Sequence, residues 1–325
     1  MKHIAILVPR DAILGSLEGT RQLFTQINAF ARARGATPFF QVELVGLQRE
    51  TPAAGGIYTV RADRLLDEVT AADLIIIPAV DGDIGAAIDS NRAFLPWLTA
   101  RYGDGAEVAS LCMGAFLLAS TGLLNGRQCA THWMAANTFR QMFPEVELVT
   151  ERIITDCDGL YSSGGAFSYQ QLILYLIEKY AGRELANLAA KVFAIDIDRR
   201  IQSPFTIFHG QKDHRDPAVL AAQEYIEAHF RERLTVDGLA RRCHLGRRNF
   251  ERRFKKATAN TVLEYIQRVR VEAAKLSLES SRENVETVMD QVGYADPKTF
   301  RATFRKFTGL SPIQYRNKYY RELPA

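Results

Sequence analysis

The stretch LTVDGLARRCHLGRRNFERRFKKATANT, residues 234–261, recurs in outline as VETVMDQVGYADPKTFRATFRKFTGLSP, residues 285–312. In each copy a short amphipathic helix is expected first, with Leu239, Ala240 and Cys243, or Val288, Met289 and Val292, on its apolar side. A turn near Gly246 or Gly293 leads into a second helix carrying aromatics four residues apart, Phe250 and Phe254 in one copy, Phe300 and Phe304 in the other. Residues at that spacing share one helical face, so each aromatic pair marks a buried seam. The pairs lie 50 positions apart while Ala240 and Met289 lie 49 apart, which makes the second turn one residue longer. The remaining face is cationic: Arg247, Arg248, Arg252 and Lys255, then Lys298, Arg301 and Arg305. One such hairpin is as consistent with a solvated charged face as with nucleic-acid binding. The joint recurrence of charge, turn and aromatic spacing favours a pair of helices shaped for major grooves.

Between the copies, VLEYIQRVRVEAAKLSLESS places Leu263, Ile266, Val269, Ala273 and Leu276 at helical spacing and is expected to form one long helix. Residues 218–320, which close with TGLSPIQYR (Gly309, Ser311, Pro312, Tyr315, Arg316), resemble the DNA-binding module of the AraC/XylS transcription regulators. Charge follows the same division. Residues 217–325 hold 21 Lys and Arg against 13 Asp and Glu, whereas residues 1–216 hold 20 against 24. A net charge of +4 therefore hides a basic C-terminal part behind a slightly acidic N-terminal one. Cationic side chains on a DNA-facing surface gain from counterion release, so binding should weaken steeply with salt.

A chain of 325 residues has room for two domains with separate cores. It has no run of eighteen apolar residues and no basic-then-apolar leader, so a cytoplasmic protein with no membrane partner is expected. The four cysteines, Cys112, Cys129, Cys157 and Cys243, show neither CxxC spacing nor histidines at metal spacing. No metal and no cofactor is expected.

The first 200 residues alternate strand and helix patterns. Strands are expected at residues 3–8, at QVELVGL, at residues 74–80 and in EVASL, with further strand-like segments near 147–150 and 152–155. Helices are expected at about 18–34, around Ala93, Phe94, Trp97 and Leu98, and after Cys112. Such alternation predicts an α/β parallel-sheet sandwich of the flavodoxin-like kind, whose ligands bind at the carboxyl ends of the strands. Ser110-Leu111-Cys112-Met113-Gly114 passes from strand to helix through small residues, the pattern of a nucleophile elbow.

SLCMGAFLLASTGLLNGR, ATHW with His132, and RRIQSPF (Arg199 to Phe205) resemble the class I glutamine-amidotransferase-like superfamily in its intracellular-protease-like branch. Joined to the C-terminal module, the architecture resembles the GlxA-type regulators. The resemblance implies a sensing and dimerising domain at 1–200, a linker at 201–216 and a double helix-turn-helix domain at 217–325. It also implies double-stranded DNA, a small nitrogenous or amino-acid-like effector and a second copy as partners, with RNA polymerase a further candidate.

The ligand-pocket candidates are Ser16, Glu18, Cys112, Met113, His132, Ser163 and Gly164. Base-contact candidates are Arg248, Glu251, Arg252, Lys298, Thr299 and Arg301, with Arg247 and Arg305 expected on phosphates. Three departures count against catalysis. Met113 stands where the protease branch has His; Ser16 stands where an acid is expected, with Glu18 a substitute only if it turns inward; no orienting acid follows His132. A non-catalytic sensor is the expected reading. A cysteine-dependent amidase or protease with a DNA-binding tail, and a domain that only dimerises, stay open beside it.

Overall fold

A computed structural model describes residues 1–197 and 199–320, and these divide into two compact units that meet between Gln202 and Ser203. The last five residues of the expected 217–325 domain lie outside the described residues. No described helix is long and apolar enough to cross a membrane.

The first unit runs β1 (Lys2–Val8), α1 (Leu14–Ala33), β2 (Phe40–Gly46), β3 (Glu50–Ala53), β4 (Tyr58–Arg61), β5 (Arg64–Leu65), β6 (Leu74–Ile77), α2 (Ile84–Ser90), α3 (Phe94–Gly103) and β7 (Glu107–Leu111). It continues with α4 (Ala115–Ser120), β8 (Gln128–Cys129), α5 (Ala136–Met142), β9 (Glu147–Leu148), β10 (Ile154–Cys157), β11 (Leu160–Ser163), α6 (Tyr169–Ala181) and α7 (Arg183–Val192). Among the described residues, seven strands form one sheet in the order β10-β11-β7-β6-β1-β2-β5, parallel except for the edge strand β10.

Strand side chains alternate between faces. Ile4, Ile6 and Val8 of β1 therefore join one core with α1, α6 and α7, while Ala5 and Leu7 join the other with α3, α4 and α5. Burial on both faces explains why the central strands read as unbroken apolar runs. The strand expected at 74–80 ends at Ile77. Pro78 has no N–H to continue a ladder, and its carbonyl oxygen lies 2.5 Å from where a Cβ on Gly114 would sit. Only glycine lets the helix after β7 pack that closely. The segment near 147–150 pairs with β8 outside the main sheet, and the one near 152–155 begins at Ile154 and runs antiparallel. The hairpin β3–β4 was not anticipated by the alternation pattern.

The second unit contains α8 (Pro217–His229), α9 (Val236–Arg242), α10 (Arg247–Thr258), α11 (Val262–Ser280), α12 (Val285–Gln291), α13 (Pro297–Thr308) and α14 (Pro312–Tyr319). Most of the stretch expected as a linker, residues 203–216, is packed onto this unit. Phe208 stacks edge-on against Tyr265 with ring centroids 5.1 Å apart, Lys275 donates to the Thr206 carbonyl, and Gln223 donates to the Gln211 carbonyl.

The repeat is larger than two hairpins. Phe254 meets Tyr265 edge-on at 5.4 Å, and Phe304 meets Tyr315 in the same way at 5.5 Å. Each tyrosine hydroxyl donates to a carboxylate, Tyr265 to Glu227 at 2.7 Å and Tyr315 to Glu279 at 2.5 Å. Helix α11 thus closes the first core with Val262, Tyr265 and Ile266, and opens the second with Val271, Ala274 and Leu278. At 3.6 residues per turn these two stripes lie about 150° apart around the helix. The one long helix expected here is present, and of the apolar residues at helical spacing Ile266 is buried while Leu263 and Leu276 are 60% and 65% exposed.

Removing either hydroxyl leaves a half-buried glutamate short of a donor. Tyr265→Phe and Tyr315→Phe should each lower the stability of the second unit by about 1–3 kcal/mol in urea denaturation. Because the two cores share no buried side chain, the losses should add in the double variant; coupling above about 1 kcal/mol would contradict separate cores.

Candidate functional site

The two helix-turn-helix copies begin alike. In the first, Leu245 N–H donates to the Ala240 carbonyl around His244, which has φ 53°; in the second, Tyr294 N–H donates to the Met289 carbonyl around Gly293, φ 81°. The left-handed turn residue of the first copy is therefore His244. Gly246, near which the turn was expected, has φ −67° and is the N-cap of α10. The second copy inserts its extra residue after this point, since Ala295 and Asp296 follow Tyr294 where Gly246 alone follows Leu245.

The caps consequently differ. No side chain caps α10, and Gly246, Arg247, Arg248, Asn249 and Arg252 line an open concavity of 690 Å³ at its start. Asp296 caps α13, accepting from Thr299 N–H at 2.6 Å, and its hydrogen bonds to Thr299 hold the carboxyl below the ordinary aspartate range. Arg248, Arg252, Lys298, Thr299, Arg301 and Arg305 are all exposed, on the side opposite buried Phe250, Phe254, Phe300 and Phe304. Not all are equally available. Arg247 pairs with Asp237 at 3.0 Å and Glu251 at 3.6 Å, Arg252 donates to Asn249, and Thr299 is engaged by Asp296. Arg253, on the same helix, is taken by a two-bond pair with Asp216, the N-cap of α8.

At the other end of the chain, β7 delivers Cys112 at a strand-to-helix turn with φ 52°, a conformation that non-glycine residues rarely hold. Thr131 Oγ1 donates to the Cys112 carbonyl at 2.9 Å, which brings the ATHW segment to the elbow. Ser163 stands opposite Leu111 in the sheet, is fully buried, and its hydroxyl has no hydrogen-bond partner among the described residues. Gly164 follows; a Cβ there would meet Gln202 Nε2 at 2.2 Å and the Thr131 carbonyl at 2.8 Å. Ser16 is buried and stitches the start of α1 to the segment after β6, donating to the Ile13 carbonyl and accepting from Ala79 N–H. Met113 packs partly buried into the second core.

The chemistry at the elbow is muted. Burial pushes the Cys112 thiol up to about 11, opposed by the Met113 N–H. His132 makes no hydrogen bond to that thiol among the described residues; its Nδ1 accepts from Met134 N–H, and burial holds the imidazole below its ordinary value. A neutral imidazole turned to its own backbone does little to form a thiolate. Glu18 is engaged at the surface by Arg21 through two hydrogen bonds of 2.7 Å, so the inward turn needed for a substitute acid is not made.

Comparison with known proteins matches both halves. The profile of the DJ-1/PfpI family matches residues 22–179, and that of a helix-turn-helix domain matches residues 239–318. The chain is 26% identical over 268 residues to the HTH-type transcriptional regulator GbdR of Pseudomonas aeruginosa, covering 81% of this chain and 71% of that protein. It is 22% identical over 218 residues to the HTH-type transcriptional regulator GlxA of Rhizobium meliloti, covering 66% of each. The chain joins a DJ-1/PfpI match to a helix-turn-helix match, and its relatives are HTH-type transcriptional regulators. A crystal structure of a transcriptional regulator protein from Vibrio parahaemolyticus, 24% identical, superposes on 59% of this chain and 98% of its own with a TM-score of 0.53, which speaks to the fold alone.

At the elbow of this chain the residue that sequence reading missed is Gln202. It is 1% exposed, and its Nε2 donates to the carbonyls of Thr131 and Arg152, both at 3.2 Å. RRIQSPF carries part of the family resemblance, but nothing in its composition announces a buried amide. The signal lies in Gly164, whose missing side chain makes the room.

With its thiol near 11, roughly one Cys112 in ten thousand is ionised at pH 7. Iodoacetamide should therefore label Cys112 slowly at neutral pH, with a rate rising about tenfold per pH unit towards pH 11. Peptide mass spectrometry would follow this, and rapid labelling at neutral pH would mean an activated thiol.

Proposed function

We propose that this regulator reads DNA with α10 and α13 and is controlled by a small molecule held at the elbow of its first unit, which also joins two copies. The observation carrying the DNA half is the repeated frame, in which each aromatic seam is buried and the opposite face of each recognition helix is exposed and basic. Arg248, Glu251 and Arg252 of α10, and Lys298, Thr299 and Arg301 of α13, are the candidates for base edges. Arg247 and Arg305 are the candidates for phosphates. Glu251 and Thr299 would first have to leave the partners that hold them, so the arginines carry most of this reading. Two recognition helices on one chain would address half-sites about 10 bp apart.

The sensing half is supported by buried Ser163 without a partner, the small-residue elbow, and the tie from Cys112 through Thr131 to Gln202, the last residue before the second unit. A ligand that displaced Thr131 would pull on the chain that joins the units, and the bound promoter would then be presented differently to RNA polymerase. Control of this kind requires a ligand with unequal affinity for two arrangements. Catalysis is not part of the reading, because the thiol is protonated and its imidazole points elsewhere.

Arg252→Ala and Arg301→Ala should each weaken binding to the preferred site by about 1–3 kcal/mol in fluorescence anisotropy. An equal loss on random DNA would reassign that arginine to a phosphate. For the elbow, a metabolite that binds only the folded state must raise its melting temperature. A thermal-shift screen of nitrogenous metabolites should find stabilisers whose effect Ser163→Val reduces, and a screen without any would leave the first unit as a dimeriser. Hydrolysis of small amides that disappears in Cys112→Ala would replace the sensor by an enzyme.

A further inference from the structure

On the far edge of the first unit's sheet, the antiparallel strand β10 leaves a groove of 930 Å³ between itself, α6, α7 and the segment around Arg200. It is a different place from the elbow, and none of the ligand-pocket candidates named for the elbow lines it. Its size is that of a site for a small organic molecule. Ile153, Ile154, Leu174 and Ile197 supply aliphatic wall, and Ile197 is 42% exposed there.

The charged groups of the groove do not cancel. Its two carboxylates are both engaged, Asp156 by the Tyr175 hydroxyl and Glu178 by Arg183, while Lys179 is paired with Glu107. Among the described residues the Arg152 side chain donates only to the neutral amide of Gln128 and the Arg200 side chain has no partner, while Arg199, which also lines the groove, is engaged. Guanidinium groups facing an aliphatic wall favour a carboxylate with a hydrocarbon body.

Gln171 adds a second requirement. It lines the groove, is 7% exposed, and donates through Nε2 to the Asp196 carbonyl at 3.2 Å. That bond fixes the amide's orientation and leaves Oε1 buried without a partner. A buried acceptor left unmatched is costly, and a ligand N–H or O–H would satisfy it.

From these we infer that the groove along β10 binds an aliphatic carboxylate bearing a hydrogen-bond donor, with Arg152 and Arg200 holding the carboxylate and Gln171 the donor. The inference stands apart from the elbow reading, since it uses neither Cys112 nor Ser163. Isothermal titration of the full chain with 4-aminobutyrate, 6-aminohexanoate and 8-aminooctanoate tests it, with hexanoate and hexylamine as partial probes. At least one amino acid of the series should bind, about tenfold or more tighter than hexanoate, the loss expected for a hydrogen bond to a charged group. Gln171→Met should reduce that probe to the affinity of hexanoate. The doubly exposed pair Arg152→Ala with Arg200→Ala should abolish binding of both carboxylates while leaving the fold intact by circular dichroism. Failure of all three amino acids to bind, or binding that survives the arginine pair, would overturn the assignment. So would a sedimentation coefficient that falls in the arginine pair without added probe, which would give the groove to a second copy.

Discussion

Helix α11 must satisfy two hydrophobic cores on nearly opposite sides of its axis, and the geometry of the DNA-binding unit depends on that. A nineteen-residue helix is about 28 Å long, and both of its halves are anchored by an aromatic and a tyrosine hydroxyl bonded to glutamate. Neither recognition helix can turn about α11 without opening one of those cores. Arg268, held over the rings of Phe208 and Phe307, and Arg270, which donates to the Phe230 and Glu232 carbonyls, fill the stretch where the buried stripe changes sides. Their charges are tolerated because each is stacked or hydrogen-bonded where it is desolvated.

The first unit has the backbone of an enzyme elbow without its electrostatics. The left-handed turn at Cys112, the glycine that admits the Ile77 and Pro78 carbonyls, and the adjoining ATHW segment are all present. What activates a thiol is a nearby positive charge or base, and here burial acts on cysteine and histidine in opposite senses, keeping both neutral. The geometry and the electrostatics are separable properties, and this chain keeps only one of them.

The sequence was most readable where a periodic pattern answers to a single neighbour. The α/β alternation, the two hairpins and the extra residue of the second turn follow from spacing alone, and matched families and relatives agree with the two halves and with a DNA-binding regulator. It was least readable where one element serves two neighbours or where a polar group is buried. Helical spacing marks Leu263 and Leu276 together with Ile266 but does not tell which of them is buried, and the two leucines are exposed. Gln202 and residues 203–216 read as linker because polar, proline-containing segments usually are, and the packing that holds them is specified by Gly164, Tyr265 and Lys275 elsewhere in the chain. The turn near Gly246 is legible, but glycine is the usual left-handed residue and nothing in the sequence shows that His244 holds that conformation.

The single residue inserted between Tyr294 and Pro297 breaks the equivalence of the two recognition helices. One begins with open backbone N–H groups and the other with a carboxylate already seated on them. A duplicated module with unlike ends cannot be indifferent to which way it lies along the duplex. Each copy of this chain therefore carries a polarity, and a promoter would register it as upstream or downstream facing, with reversal of the site amounting to a different site.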